Sequence, residues 1–456
     1  MTDRAFDTNV LIIGAGPAGL ALAVELARRG IAFRIIDRAE GPAAESRALG
    51  TQARTIEHLR MMGIGADRLT PSLIVRGITI HDGERRLATL PTHVSRPDVT
   101  YDGLLVMAQA DTEQMLLRRL DELGARVERS TTLAALSQDG DGVLATLDGA
   151  NGAEVVHSRY LVACDGARST VRHHLRAGFA GATYPQEFLL ADGTIDADLP
   201  RDLGNGWLHP DGLLFLLPLP EPGLWRVIVN AERPGEDDRT PPSLEDITTI
   251  VARRTGGSVQ LVNTVWRSRF RINCRMVDHY RYGNVFLAGD AAHVHSPVGG
   301  QGLNTGIQDA VNLAWKLSLA SRGRAATSLL DTYAEERMPV ARGVLNGTDK
   351  GTRAIMTANP ALRWLRDRAI SAVSNIPAVQ GALIKRISEL GLDYRASSLT
   401  SPANRAGFDP GAPRPGDRAP QADLYPLAGD VPATLFDAYG RGGFTLLLFP
   451  DPTHLA

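Results

Sequence analysis

Within residues 9–37 an apolar run, a glycine-rich turn, an amphipathic helix and a second apolar run ending in an acid follow one another, and this unit constrains the fold more than any other stretch. Residues 9–13, Asn-Val-Leu-Ile-Ile, read as a strand buried on both faces. They enter Gly14-Ala15-Gly16-Pro17-Ala18-Gly19, a G-x-G-x-x-G. Leu20, Leu22, Ala23, Leu26 and Ala27 then form the apolar face of a helix that closes at Arg29-Gly30. A second strand over 31–36 ends in Asp37, 18 residues past Gly19. Glycines at these places allow a tight turn and close approach of backbone N–H groups to a pyrophosphate at the positive helix end. Asp37 stands where an acid takes ribose hydroxyls. A bare glycine motif also fits a turn without any ligand; the strand, the helix and the spaced acid make the reading dinucleotide binding. The motif does not separate NAD from FAD.

A second candidate site lies far along the chain. Residues 284–288 read as a strand and lead into Gly289-Asp290-Ala291-Ala292-His293. Next comes Ser296-Pro297-Val298-Gly299-Gly300-Gln301-Gly302-Leu303-Asn304, then a helix in which Thr305 and Gln308 have capping-box spacing and Ile307, Val311, Ala314 and Leu317 form the apolar stripe. A carboxylate at a strand end and a glycine-rich loop feeding a helix N-terminus suit a polar, electron-rich ligand; a surface turn with a buried aspartate cap is the competing reading. Two such sites suit one long cofactor. His173-His174 and the His293/His295 pair are poor metal ligands, because neighbouring side chains point apart in regular structure and only Asp290 accompanies the second pair. No metal centre is expected, and His293 reads as a hydrogen-bonded structural residue.

Composition removes other classes. A chain of 456 residues suggests two to three domains. Its 49 basic and 51 acidic side chains give a formal charge of −2, which argues against a nucleic-acid partner. Cys164 and Cys274 are too few for a disulfide framework or a cysteine zinc site. No apolar run reaches the roughly 18 residues of a membrane span. The N-terminal run is broken by glycines and lacks a preceding basic region and cleavage site, so no signal peptide is read. A cytoplasmic, membrane-free protein is expected. Only Lys316, Lys350 and Lys385 are lysine, a bias that suggests a GC-rich bacterial genome.

With Cys164-Asp165-Gly166-Ala167-Arg168-Ser169-Thr170-Val171-Arg172 between them, the glycine motif and Gly289-Asp290 stand in the order and spacing of class A flavoprotein monooxygenases. The chain therefore resembles the aromatic hydroxylases similar to p-hydroxybenzoate hydroxylase over roughly residues 8–395. Ser46-Arg47-Ala48-Leu49-Gly50 and the run 295–317 look most like the phenol, polyketide and antibiotic hydroxylase subgroup. The resemblance implies an α/β fold: a Rossmann-like FAD-binding domain, an inserted β-sheet substrate domain, and a helical or irregular C-terminal part. It implies FAD held by Gly14, Gly16, Pro17, Ala18 and Gly19, with Asp37 on the adenosine ribose and Arg38 beside it. Arg47 would neutralise the pyrophosphate and Gln109 touch the cofactor from a helix start. Gly289 and Asp290 would meet the ribitol, and Pro297 with Gly299, Gly300, Gln301, Gly302, Leu303 and Asn304 the flavin. Asp165 belongs to a motif associated with both FAD and NAD(P)H handling, while Tyr333, Glu336 and Arg337 read as structural. NADH or NADPH is implied as a transient co-substrate, O2 as the other. A flavin C4a-hydroperoxide would oxidise a phenolic or polycyclic aromatic small molecule, so no nucleophile or acid–base dyad is required.

The FAD-binding domain is expected from residues 1–70, 104–175 and 279–395, and the substrate sheet from 71–103 and 176–278. Asp111 reads as the cap of a helix ended by Gly124. Trp207, His209, Phe215 and Pro218 are candidates for the substrate pocket, with His295 and Pro297 at its border. Residues 396–456 form an extension similar to the lead-in of a thioredoxin-like domain, without the C-x-x-C of a redox module. The alternatives are a flavin oxidoreductase that inserts no oxygen, and a non-catalytic FAD-binding interaction module. A halogenase is disfavoured by the lack of Trp-x-Trp. Monomer and homodimer both remain open.

Overall fold

A computed structural model describes residues 6–43, 48–69, 71–93, 99, 103–231, 240–296, 300–357, 359–401, 412–424, 434–440 and 442–447. At its centre the strand Thr8–Ile13 runs parallel to Phe33–Ile36 on one side and to Gly152–Ala163 on the other, and Val285–Leu287 continues the parallel order. Val10, Leu11, Ile12, Leu161 and Val162 are fully buried, as expected of parallel strands covered on both faces. The helix Pro17–Ala27 lies against this sheet, and Gln109–Glu122 and Gly302–Ser321 pack on that helix. The first half of Gly152–Ala163 pairs antiparallel with Val143–Gly149, which pairs with Thr132–Gln138. These two strands, which sequence reasoning left unread, extend the cofactor-type sheet.

Among the described residues a second sheet contains eight strands. Its long members Phe179–Asp196 and Gln260–Val277 pair antiparallel, followed by Leu224–Asn230, Gly212–Pro218 and Leu203–His209. Leu203–His209 then pairs parallel with Gly77–Asp82, which forms a hairpin with Arg85–Pro91. Strands from 71–103 and from 176–278 thus share one sheet. A small third sheet joins Gly50–Thr51, Leu104–Val106 and Leu73–Val75, so it straddles the boundaries expected at 70/71 and 103/104. It packs on the eight-stranded sheet through Leu49, Val75, Val106, Leu217 and Leu219.

Two helix starts differ from the sequence expectation. Gly302–Ser321 begins at Gly302 with Gln301 as N-cap, so Thr305 and Gln308 lie inside the helix and form no capping box. The Thr305 hydroxyl donates back to the Gln301 carbonyl at 2.9 Å, and the Gln308 amide donates to Glu389. Gln109–Glu122 has Ala108 as N-cap, which leaves Asp111 in the first turn rather than at the cap. Beyond the helix Asp331–Ile355, Pro360 and Pro377 each open a new helix at its first position, where a missing N–H costs nothing. The described part of the tail carries one short helix, Leu435–Tyr439, docked on Ala53–Met61. Arg418 forks onto Glu57, and Arg28 donates to the Gly440 carbonyl at 2.6 Å. No helix among the described residues is long and apolar enough to cross a membrane.

Candidate active site

The three motif glycines have different surroundings. Gly14 has φ +101°, and a Cβ there would overlap the Cys164 carbonyl and lie 2.8 Å from the Asp165 Cα. A Cβ on Gly19 would overlap the Gly14 carbonyl, so helix and strand meet without room for a side chain. Above Gly16, by contrast, nothing lies within 4 Å. That open space faces the N-terminus of Pro17–Ala27, which has no side-chain cap. Tight turn, ligand approach and helix packing are thereby assigned to separate glycines. Asp37 closes the loop: one carboxylate oxygen accepts the Ala15 N–H at 2.6 Å and the other the Ala39 N–H at 2.8 Å. Arg38 beside it is exposed.

At the second site, Gly289 approaches Ala18 and Gly306, which brings both helix N-termini to one turn. The Asp290 carboxylate takes no hydrogen bond from the described residues. It reaches solvent yet is ringed by protein, the setting of a group facing an open cleft. Burial pushes its carboxyl up, with His293 opposing. Beneath it Asp309, fully buried, accepts the Gly289 N–H at 3.1 Å, His293 Nε2 at 2.7 Å and Arg337 Nε at 2.7 Å. Burial alone would raise the Asp309 carboxyl; Arg337 and His293 more than offset it and hold it below its ordinary value. His293 and Arg337 are therefore structural, as the sequence suggested, while Asp309 was missed. Its only signal was an acid among Gly306, Ala310 and Leu313 on the apolar face of the helix.

Asn304 does more than present its backbone. Its side-chain amide donates to the Gly50 and Gly300 carbonyls at 2.9 and 2.7 Å, and its oxygen accepts the Gln52 N–H at 2.9 Å. It pins the loop before Gly302–Ser321 to Gly50–Thr51. Gln301, buried, donates to the Arg386 carbonyl at 3.3 Å and leaves the helix start without a side-chain cap, so the first-turn N–H groups at Gly302 and Leu303 are placed to meet negative charge. His295 stands beside Gly302; burial takes its imidazole down to about 4. Asp165 accepts the Val171 N–H at 3.2 Å with one oxygen, its other oxygen is buried without a partner, and burial raises its carboxyl. Gln109 opens its helix and donates to Glu113 at 2.8 Å. Arg47, Pro297 and Gly299 lie outside the described residues.

The roof candidates separate onto two faces. Paired residues on neighbouring strands share a face, so Trp207 (opposite Leu214) and Pro218 (opposite Trp225) lie on the side that packs against the helix Leu244–Arg254. His209 has the same parity as Trp207 and binds Asp211 at the hairpin end. Of the four expected roof residues only Phe215 is on the other face, which turns toward Leu49, Val75 and Val106. The correction has a simple cause: Phe215 pairs with Gly206, one residue out of step with Trp207. On this inner face one cross-strand row runs Leu217, Arg226, Asp192, Trp266 and the next runs Phe215, Ile228, Leu190, Ser268.

The uncapped helix starts, the open space over Gly16 and the unpartnered Asp290 carboxylate fit a long dinucleotide with an anionic middle, as FAD has. A family model described as an FAD binding domain matches residues 7–348. The chain is 39% identical over 423 residues to 6-methylpretetramide 4-monooxygenase of Streptomyces rimosus, covering 90% of this chain and 74% of that protein. Among solved structures it is similar to CabE, an aromatic hydroxylase from angucycline biosynthesis, with 32% identity, a TM-score of 0.78, and 95% and 84% of the two chains covered. The flavin-dependent monooxygenase PieE, solved with FAD and substrate, has 26% identity, a TM-score of 0.76, and 96% and 84% coverage.

Proposed function

The chain belongs to the FAD binding domain family, among its flavin-dependent aromatic hydroxylases, and from that premise we propose an NAD(P)H- and O2-dependent monooxygenase that hydroxylates a phenolic or polycyclic aromatic small molecule. The observation that carries the reading is the convergence of two uncapped helices and Asp290 at the turn where Gly289 meets Ala18 and Gly306, with open space over Gly16. Asp37 would take the adenosine ribose, the Gly16 edge and Pro17–Ala27 the pyrophosphate, Asp290 the ribitol, and the first turn of Gly302–Ser321 the electron-rich end of the flavin. FAD, when bound, carries electrons from the nicotinamide to O2 and activates the oxygen. The chain's part is to orient and to exclude water. The backbone N–H groups at Gly302 and Leu303 stabilise negative charge on the cofactor. Phe215, Leu217, Ile228 and Leu190 make a dry wall for an aromatic ring.

An electrophilic oxygen requires an electron-rich carbon, which a phenol supplies ortho or para to its own oxygen. Similarity to a 6-methylpretetramide monooxygenase and to an angucycline-biosynthesis hydroxylase supports a substrate of aromatic polyketide type. In this reading 1–70, 104–175 and 279–395 bind the cofactor, and 71–103 with 176–278 selects the substrate. The test is a panel of phenols and polycyclic aromatics supplied with NADH or NADPH under labelled O2 and read by mass spectrometry. Substrate-stimulated nicotinamide oxidation with one labelled oxygen in the product is expected. Turnover without label in the product would replace this reading with an oxidoreductase that inserts no oxygen.

A further inference from the structure

The inner face of the large sheet carries one charged pair in two rows that are otherwise apolar or aromatic apart from Ser268, and it lies in the row that begins at Leu217. Arg226 Nε and Nη2 each donate to one oxygen of Asp192 at 2.6 Å. The Arg226 guanidinium also lies over the Trp266 ring, 5.0 Å from its centroid. Arg226 is 3% exposed, whereas the Asp192 side chain keeps 15% and Trp266 is half-buried. Leu217, next to Arg226 in the row, packs on Leu49, whose neighbour Gly50 is held by Asn304 at the helix start assigned to the flavin. The pair therefore stands one cross-strand row along from Phe215, Ile228 and Leu190, on the same two strands as Ile228 and Leu190, beside the wall proposed for the substrate ring.

Stability gives little reason for it. A bidentate pair taken out of water pays desolvation that its attraction barely returns, and apolar residues of similar shape usually do as well or better. Every neighbour in the two rows except Ser268 is already apolar or aromatic. A carboxylate that accepts two guanidinium N–H groups still has lone pairs for a further donor. We propose that Asp192, oriented by the Arg226 fork that Trp266 backs, accepts a hydrogen bond from a hydroxyl of the aromatic substrate and so sets which ring carbon meets the oxygen. Asp192 is thus a specificity residue, and Arg226 positions it. The inference rests on the hydroxylase reading.

The experiment compares matched pairs of polycyclic phenols and their O-methyl ethers, with binding followed by the perturbation of the FAD absorption spectrum in the holoenzyme. Wild type is expected to bind at least one free hydroxyl about tenfold more tightly than its ether, the size of one hydrogen bond to a charged group. The double variant Asp192→Leu/Arg226→Met, which leaves no lone charge, is expected to bind both members equally while FAD occupancy reports that it is folded. A hydroxyl preference that survives in this variant, or is absent from wild type, overturns the inference and leaves the hydroxylase reading standing. Should the double variant fail to hold FAD, Asp192→Asn decides: a preference cut severalfold supports the assignment, an unchanged one overturns it. A wild-type protein that responds to no aromatic compound overturns the hydroxylase reading itself, and this inference with it.

Discussion

Burial raises the carboxyls of both Asp290 and Glu389, but Asp290 reaches solvent and Glu389 lies in the interior. Asp290 has no hydrogen bond from the described residues, so its oxygens are available to a ligand. Hydrogen bonds to a charged group contribute roughly 1.5–3 kcal/mol, so Asp290→Ala should weaken FAD binding about tenfold to a hundredfold. Dialysis followed by flavin absorbance measures this, and undiminished retention would remove Asp290 from the cofactor site. Glu389 is buried at φ +59° and takes the Gln308 amide, with its other oxygen unpartnered. Burial pushes its carboxyl up to about 8 against Arg337's opposing charge, from 4.5 in the unfolded chain. Below 4.5 both states hold the proton and its contribution is complete; as pH rises toward 8 only the folded state keeps the proton, so stability is lost across that window. Glu389→Gln should therefore melt with a smaller decline between about pH 5 and about pH 8 than wild type does. Parallel declines in thermal melts would mean that Glu389 ionises freely.

The Gly14–Gly19 turn joins the strand Thr8–Ile13 to the helix Pro17–Ala27, and its glycines should respond differently to a methyl group. Gly14→Ala forces a left-handed backbone and an overlap with Cys164, so a loss of more than about 2 kcal/mol is expected in the protein without FAD. Gly16→Ala meets nothing within 4 Å and should leave that stability within about 0.5 kcal/mol while weakening FAD. Equal effects on stability would contradict the open space over Gly16. In the large sheet, Trp207→Ala should cost roughly 3–5 kcal/mol as a core truncation. Phe215→Ala should instead change relative kcat/KM across aromatic substrates while the flavin spectrum stays as it is. A Trp207 variant of full stability and altered substrate range would reverse this assignment of faces. The N-terminal unit was legible because its strand, turn, helix and acid are consecutive, so local order specifies the geometry. The roof was less legible, since the face of Trp207 depends on pairing with Gly212–Pro218 and on the parallel partner Gly77–Asp82 over a hundred residues earlier. Thr305 and Gln308 misled because capping spacing recurs inside helices; the start at Gly302 is set by the glycine loop and Asn304.

At the scale of the molecule, the proposed cofactor cleft draws on segments that are distant in sequence: the 14–37 unit, the Gly50–Thr51 edge and the stretches 289–296 and 300–304. They meet through small contacts, Ala18 with Gly289 and Gly306, and through the side-chain bracket of Asn304. A ligand that touches all three adds free energy only to the state in which they are together. A bound ligand at a hundred times its Kd stabilises by about 2.7 kcal/mol. The helix Pro360–Val373 stands apart from this coupling: it contains no fully enclosed residue, and Leu362, Trp364 and Leu365 are each more than half exposed. Stability should therefore divide by region. Adding FAD to the stripped protein should raise the melting temperature and go on raising it with the logarithm of FAD concentration. It should also protect residues 14–37, 289–296 and 300–304 from limited proteolysis. Cleavage within Pro360–Val373 should continue at a similar rate, because local opening there does not release the cofactor. Uniform protection of the whole chain would instead show that this helix closes over the occupied cleft, and no protection anywhere would show that the three segments do not share one ligand.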